Sequence, residues 1–276
     1  MRLGYVTNGF AHHRIEDAAA ILSEIGYTSV AITLDRDLLN PPDRRGVAGA
    51  IARIQPVLSE TGLSVTIETG ARYILDPRRK HQPTLISASP KHRMQRIEMI
   101  QAAIDIAAGV GADSVSLWSG ARDDEATHDE QFNRLVASLR EVLNHAEAEG
   151  VRLSFEPEPG MLIATMSDFA RLHESLAHPL LGLTIDVGHV HCLRDGNIAE
   201  HVERWRDVLW NVHVEDMRRD VHEHLTFGDG DLDFDAVFEA FRRIDYAGPV
   251  HVELSRHSHD APMVAQRSFD FLQRFV

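Results

Sequence analysis

Eight short runs of apolar and β-branched residues, each followed by a segment with helical spacing, constrain this chain more than any other feature. The runs cover residues 2–8, 29–35, 64–70, 113–120, 152–158, 181–189, 209–216 and 249–256. Most are almost continuously apolar, as parallel strands buried on both faces are. Between them, 15–25 sets Ala18, Ile21, Leu22 and Ile25 on one stripe, and 93–110 does the same with Ile97, Ile100, Ile104 and Ile106. Residues 130–150, 166–176 and 233–244 continue the helical pattern. Gly26, Gly111, Gly150 and Gly248 each stand between such a segment and the next run, where a left-handed C-terminal cap is expected. Eight repeats in 276 residues imply a parallel sheet closed on itself, an α/β chain folded as a (β/α)8 TIM barrel. No Ser/Gly linker divides it, so residues 1–276 read as a single domain.

The bulk numbers narrow the partners. Lys plus Arg total 28 against 42 Asp plus Glu, a formal charge of −14, and no basic run offsets it. Such a surface repels phosphate backbones, so nucleic acid is not an expected partner. Cys192 is the lone cysteine, which leaves no intramolecular disulfide and no thiolate metal cluster. The apolar part of the N-terminus is too short for a signal peptide, and no stretch reaches the roughly 18 apolar residues of a membrane span. A cytoplasmic protein without membrane contact is the expectation.

In such barrels the chemistry collects at the C-terminal ends of the strands. The fifth run ends in Ser154-Phe155-Glu156-Pro157-Glu158, the sixth in Thr184-Ile185-Asp186-Val187-Gly188-His189. The seventh reads Asn211-Val212-His213-Val214-Glu215-Asp216, the eighth His251-Val252-Glu253-Leu254-Ser255-Arg256. Unpaired charges among apolar neighbours are costly to bury, and a divalent cation removes that cost. Glu156, Asp186, His213 and Glu253, one from each of four consecutive strands, make an oxygen-rich set with one nitrogen. That set suits one ion of Mn²⁺ foremost, or Mg²⁺, Co²⁺ or Zn²⁺. Gly188 lets the backbone approach closely.

The chain resembles the xylose-isomerase-like superfamily of barrels, which holds sugar and sugar-phosphate isomerases and epimerases, hydroxypyruvate isomerases and apurinic endonucleases. The resemblance implies metal binding by Glu156, Asp186, His213 and Glu253. His189, three residues after the Asp, and Arg219, six after the ligand His, stand where the ketose 3-epimerases contact substrate oxygens. Residues 224–233 resemble the family's His-x-x-x-Gly-x-Gly-x-x-Asp loop, beginning at His224. The Glu156-Pro157 pair resembles the Glu-Pro of hydroxypyruvate isomerases, with Glu158 where that group has Asn. The implied chemistry is metal-assisted proton transfer on a small polyhydroxylated substrate, with Glu156 and Glu253 as base and acid. Epimerisation, isomerisation and dehydration, the last of a dehydroshikimate or inosose type, share this constellation. A non-catalytic sugar-binding subunit is the alternative from another class. Family members pair into dimers or tetramers, so a homo-oligomer is expected from the resemblance.

Other residues stay open. Glu158 is a substrate contact or a rim charge, and Trp118 a stacking face for a sugar or packing. His222 and His224 are second-metal or substrate contacts, or loop histidines. Glu68 is a second-metal ligand or structural. His12 and His13 read as solvated, as does the Arg78-Arg79-Lys80 run, with a lid as its other reading. Arg256 and His257 hold a substrate anion or pair with surface acids.

Overall fold

A computed structural model describes residues 1–39, 43–70 and 72–276. Eight parallel strands close into a barrel, in the order β1-β10-β7-β6-β5-β4-β3-β2. Along the chain these are β1 (Arg2–Val6), β2 (Ser29–Thr33), β3 (Ser64–Glu68), β4 (Val115–Leu117), β5 (Leu153–Phe155), β6 (Leu181–Asp186), β7 (Leu209–Val214) and β10 (Pro249–Val252). A separate antiparallel pair, β8 (Asp216–Arg218) and β9 (Val221–Leu225), follows β7. The helices are α1 (Ile15–Ile25), α2 (Arg44–Thr61), α3 (Pro90–Val110), α4 (His128–Glu149), α5 (Met166–Leu176), α6 (Val187–Cys192), α7 (Ile198–Trp205), α8 (Phe234–Arg243) and α9 (Ala261–Leu272).

The chain gathers into two compact units, Met1–Ile32 with Ile54–Thr66 and Leu183–Val276, and Thr33–Arg53 with Ile67–Gly182. In the first unit β1 pairs with both β10 and β2, setting Gly4 opposite His251 and Ser29. β7 pairs with β10 and β6, so His213 stands level with His251 on one side and Asp186 on the other. In the second unit β3, β4 and β5 run side by side, with Val115 opposite Ile67 and Leu153.

All eight expected strands are present, but each stops short of its apolar run. Trp118, Val187 and Leu254 lie beyond strand ends and are still buried, so hydropathy carries on where strand pairing stops. Three of the four expected glycine stops hold, with Gly26, Gly111 and Gly150 in the left-handed region at φ 117°, 68° and 69°. The fourth does not. α8 ends at Arg243, and Asp245 at φ 51° takes the left-handed position ahead of Gly248. Four helices escape the periodicity reading. α2 carries Gly46, Gly49 and Pro56, residues of poor helix propensity. α9 opens with a proline at its first turn, a position proline tolerates. α6 begins inside the run read as strand over 181–189, and α7 lies between that run and the next, where no helical stripe was picked out. The 222–233 connection opens within β9 of the β8–β9 hairpin, and the turn just ahead of it places Asp220 at φ 65°. The 69–90 connection is irregular where described, and Ala71 lies outside the described residues.

Candidate metal centre

The first unit holds most of the expected site. β6 ends at Asp186, and there the chain turns directly into α6, because the Asp186 side chain caps the helix: Oδ1 accepts the His189 N–H at 2.9 Å. The expected strand over 181–189 is therefore cut short by an N-cap. This turn brings His189 back over its own cap, Nε2 standing 3.5 Å from Asp186 Oδ2. That oxygen accepts no hydrogen bond among the described residues, although Asp186 is 2% exposed.

His213 lies level with Asp186 on β7, and its Nδ1 stands 3.1 Å from Glu253 Oε2. The other Glu253 oxygen accepts from Asn8 Nδ2 at 2.7 Å. Donor atoms of Asp186, His213 and Glu253 lie within 4.8 Å of one another. Burial opposes ionisation of Glu253, but the hydrogen bond from His213 holds it well below the usual carboxylate range.

Beside this group stands a second one. Glu215 is fully buried, and neither of its oxygens has a hydrogen bond among the described residues. Its donor atoms lie within 4.8 Å of those of Asp186 and His224, and His224 Nδ1 is 3.7 Å from its Oε2. Burial, with the charges of Asp186 and Glu253, raises its carboxyl well above the ordinary range. Gly188 makes the room: a Cβ there would come within 2.1 Å of Glu215 Oε1. His189, His222 and His224 form a third group, with His222 Nε2 at 3.1 Å from His189 Nε2. Burial lowers His189 to about 4, which keeps its imidazole neutral and able to offer a lone pair. His224 Nδ1 donates to the Glu253 carbonyl at 3.0 Å.

Arg219 sits exposed on the β8–β9 turn and lines a cavity of about 380 Å³ with His191, Arg194 and Asp231. In the second unit, Glu156 follows β5 directly and is 5% exposed, its N–H bonded to the Leu117 carbonyl at 2.9 Å. Glu158 is half-buried, and its N–H closes a turn onto the Ile163 carbonyl. Trp118 is buried: the Arg96 guanidinium lies 4.7 Å from its ring centroid and the His81 ring meets it edge-on. Glu68 ends β3 and is buried. His12 is exposed as expected, and His13 packs against Phe10. Arg256 pairs with Glu223 at 3.1 Å. The sequence reading missed Asn8 and Glu215. Asn8 ends the first apolar run, and Glu215 follows β7 directly as Glu253 follows β10. Position at a strand end was the available signal for both.

A family model described as xylose isomerase-like TIM barrel matches residues 19–275. The chain belongs to this family. An L-ribulose-5-phosphate 3-epimerase, UlaE, of Shigella flexneri is 25% identical over 203 residues, 72% of this chain and 70% of the relative. An uncharacterized protein of Methanocaldococcus jannaschii is 30% identical over 123 residues, so that match spans 41% of its length. Among solved structures, the E. coli 3-keto-D-glucoside 4-epimerase YcjR is similar at TM-score 0.80 and 21% identity, with 99% of both chains covered. The zinc-bound IolI protein is similar at TM-score 0.79 and 16% identity, covering 100% of this chain and 99% of that one. These two likenesses belong to the fold. Among the described residues, no helix is long and apolar enough to cross a membrane.

Proposed function

We propose that this protein is a divalent-metal-dependent epimerase or isomerase of a sugar or sugar phosphate. The observation that carries the reading is the buried convergence of Asp186, His213 and Glu253, donor atoms within 4.8 Å of one another. Glu156, after β5, is the fourth ligand by family resemblance. The residues fit a cation on chemical grounds: Asp186 Oδ2 is a buried acceptor without a hydrogen bond among the described residues, and the buried carboxyl of Glu215 crowds the same place. Such groups are costly unless a positive charge meets them. Three carboxylates with one imidazole suit Mn²⁺ first, with Mg²⁺, Co²⁺ and Zn²⁺ as the other candidates. When bound, the cation supplies Lewis-acid polarisation of a hydroxy-ketone carbonyl.

The protein's own groups do the rest. Glu253 is held ionised by His213 and oriented by Asn8, which suits it to remove a proton next to a carbonyl. Glu156 is assigned the matching acid on the opposite face. Neutral His189, together with His224, is assigned to substrate hydroxyls, with Glu158 and Trp118 lining the sugar and Arg219 meeting its far end. The similarity to UlaE, whose name describes action on a phosphorylated ketose, supports the substrate class. One family match runs through both units, which supports reading residues 1–276 as one domain.

The test is a turnover assay. Protein stripped with chelator and reloaded with Mn²⁺ is offered ketoses and ketose phosphates, and epimers are separated by chromatography. Metal-dependent formation of a 3-epimer is the expected outcome, abolished in both Glu156→Gln and Glu253→Gln. Release of water in place of an epimer assigns the dehydratase chemistry instead. Metal-independent turnover contradicts the reading.

A further inference from the structure

A buried chain of hydrogen bonds leads away from His213. Asn211 Nδ2 lies 3.2 Å from His213 Nε2, and Asn211 Oδ1 lies 2.8 Å from His251 Nδ1. His251 Nε2 in turn meets Ser29 Oγ at 2.9 Å, and Ser29 Oγ has the Ser64 carbonyl within reach at 3.4 Å. At the near end, His213 Nδ1 faces Glu253 Oε2. Ser29, Asn211 and His251 are all fully buried. Gly4 makes the long step possible. It pairs with both His251 and Ser29, and a Cβ there would sit 2.3 Å from His251 Cδ2.

A neutral imidazole donates at one nitrogen and accepts at the other. His251 faces an amide oxygen through Nδ1 and a hydroxyl through Nε2, so a single ring proton satisfies both contacts. In the arrangement seen, the Asn211 amide donates to His213 Nε2, which leaves the His213 proton on Nδ1, facing Glu253. Asn211 Oδ1 accepts from His251 Nδ1–H, and Ser29 O–H donates to His251 Nε2. A cation taken by His213 at Nδ1 needs that lone pair, so the proton must sit on Nε2. Asn211 must then present Oδ1 to His213 and Nδ2 to His251. His251 must move its proton to Nε2 and donate to Ser29, whose own proton turns to the Ser64 carbonyl. Every bond reverses, each ring keeps one proton, and no proton enters or leaves.

We propose that Asn211 and His251 are positioning residues, forming a relay with two self-consistent directions, one for free His213 and one for His213 bearing a cation. The relay fixes the tautomer of the ligand and carries its state to Ser29, at the start of β2. Groups that orient a ligand histidine through its other ring nitrogen tune metal affinity. The inference rests on the reading of His213 as a ligand. Both directions use the same heavy-atom positions, so the readout is the place of the proton on each ring.

The experiment is ¹⁵N NMR on full-length protein labelled at histidine, stripped of metal and titrated with Zn²⁺, which is diamagnetic. His213→Gln and His251→Gln assign the signals. With one equivalent of Zn²⁺, His213 Nδ1 takes a coordinated shift and His251 changes from the Nδ1–H to the Nε2–H tautomer. In Asn211→Leu, His213 still responds, His251 does not, and Zn²⁺ affinity falls about 10- to 100-fold. Should Asn211→Leu not fold, the titration of the unsubstituted protein decides alone. His213 responding at Nδ1 while the His251 tautomer stays fixed overturns the relay and leaves the ligand in place. Coordination through His213 Nε2 also overturns it. Zn²⁺ that leaves His213 unchanged overturns the ligand reading itself.

Discussion

His213 Nδ1 stands 3.1 Å from Glu253 Oε2, and the second oxygen of that carboxylate is taken by Asn8. β7 and β10 are hydrogen-bonded neighbours, and the Glu253 N–H bonds the Val214 carbonyl at 3.2 Å, so strand register sets the pair. The pairing keeps Glu253 ionised in a buried place and aims His213 at the same point as Asp186.

Glu253→Gln keeps the size of the side chain and removes its charge. Metal content after desalting should fall well below one ion per chain, and turnover should drop by at least about 100-fold. The circular dichroism spectrum should stay that of the parent. Full metal retention in a folded Glu253→Gln variant contradicts the assignment.

Gly188→Ala should destabilise the fold, against the usual preference of helices for alanine. Alanine is favoured over glycine in a helix by about 1 kcal/mol, but here its Cβ would meet Glu215 Oε1 at 2.1 Å. A loss of about 1–3 kcal/mol in urea unfolding is expected from that overlap. The double variant Gly188→Ala with Glu215→Ala should recover most of it. A stabilised Gly188→Ala would show that Glu215 is not held where the structure puts it.

The loop histidine His81 should make stability fall in mild acid. Burial lowers its pKa to about 4, partly opposed by its bond to the Gly70 carbonyl. The unfolded chain has the ordinary value of about 6.5 and so binds the proton more readily. The stability due to neutral His81 is complete above about 6.5 and is lost as pH falls towards about 4. Denaturation midpoints across that range should slope less steeply in His81→Phe than in the parent. Identical slopes would place His81 in solvent.

Arg96 is fully buried on α3. Its Nη2 donates to the Thr69 carbonyl at 2.7 Å, but Nε and Nη1 have no acceptor among the described residues. A buried charge so poorly met is often replaced by an apolar side chain at no loss. Arg96→Met should lie between neutral and a gain of about 1–4 kcal/mol. Arg96→Ala should lose about 2–5 kcal/mol through the cavity it leaves. Equal losses in both variants would point to a held counter-charge.

The barrel was legible because burial on both faces leaves strands as apolar runs, and because Ala18, Leu22 and their kind mark the helices between. Strand ends were less so. Val187 and Leu254 stay apolar after pairing ceases, since the segments that leave the barrel are themselves buried. The helix beginning at Val187 looks like strand by composition, and only the Asp186 cap, three residues ahead of His189, announces it. The group of Asp186, His213 and Glu253 could be read from position at strand ends. Asn211 could not, because it sits inside β7 and its role depends on the His251 ring reaching it from β10. The offset of Arg219 from His213 marks it in the sequence, and the β8–β9 turn sets it at a cavity lined also by His191.

The central claim is metal-assisted proton transfer next to a carbonyl, and deuterium exchange reads it most directly. Protein with Mn²⁺ removed and restored is incubated in D₂O with ketoses and ketose phosphates, the protein is then taken out, and NMR locates the label. The account predicts deuterium at a carbon adjacent to the carbonyl only when metal is present, and none with Glu253→Gln. Metal demonstrably bound with no exchange on any of these substrates, or exchange that ignores both metal and Glu253, would contradict it.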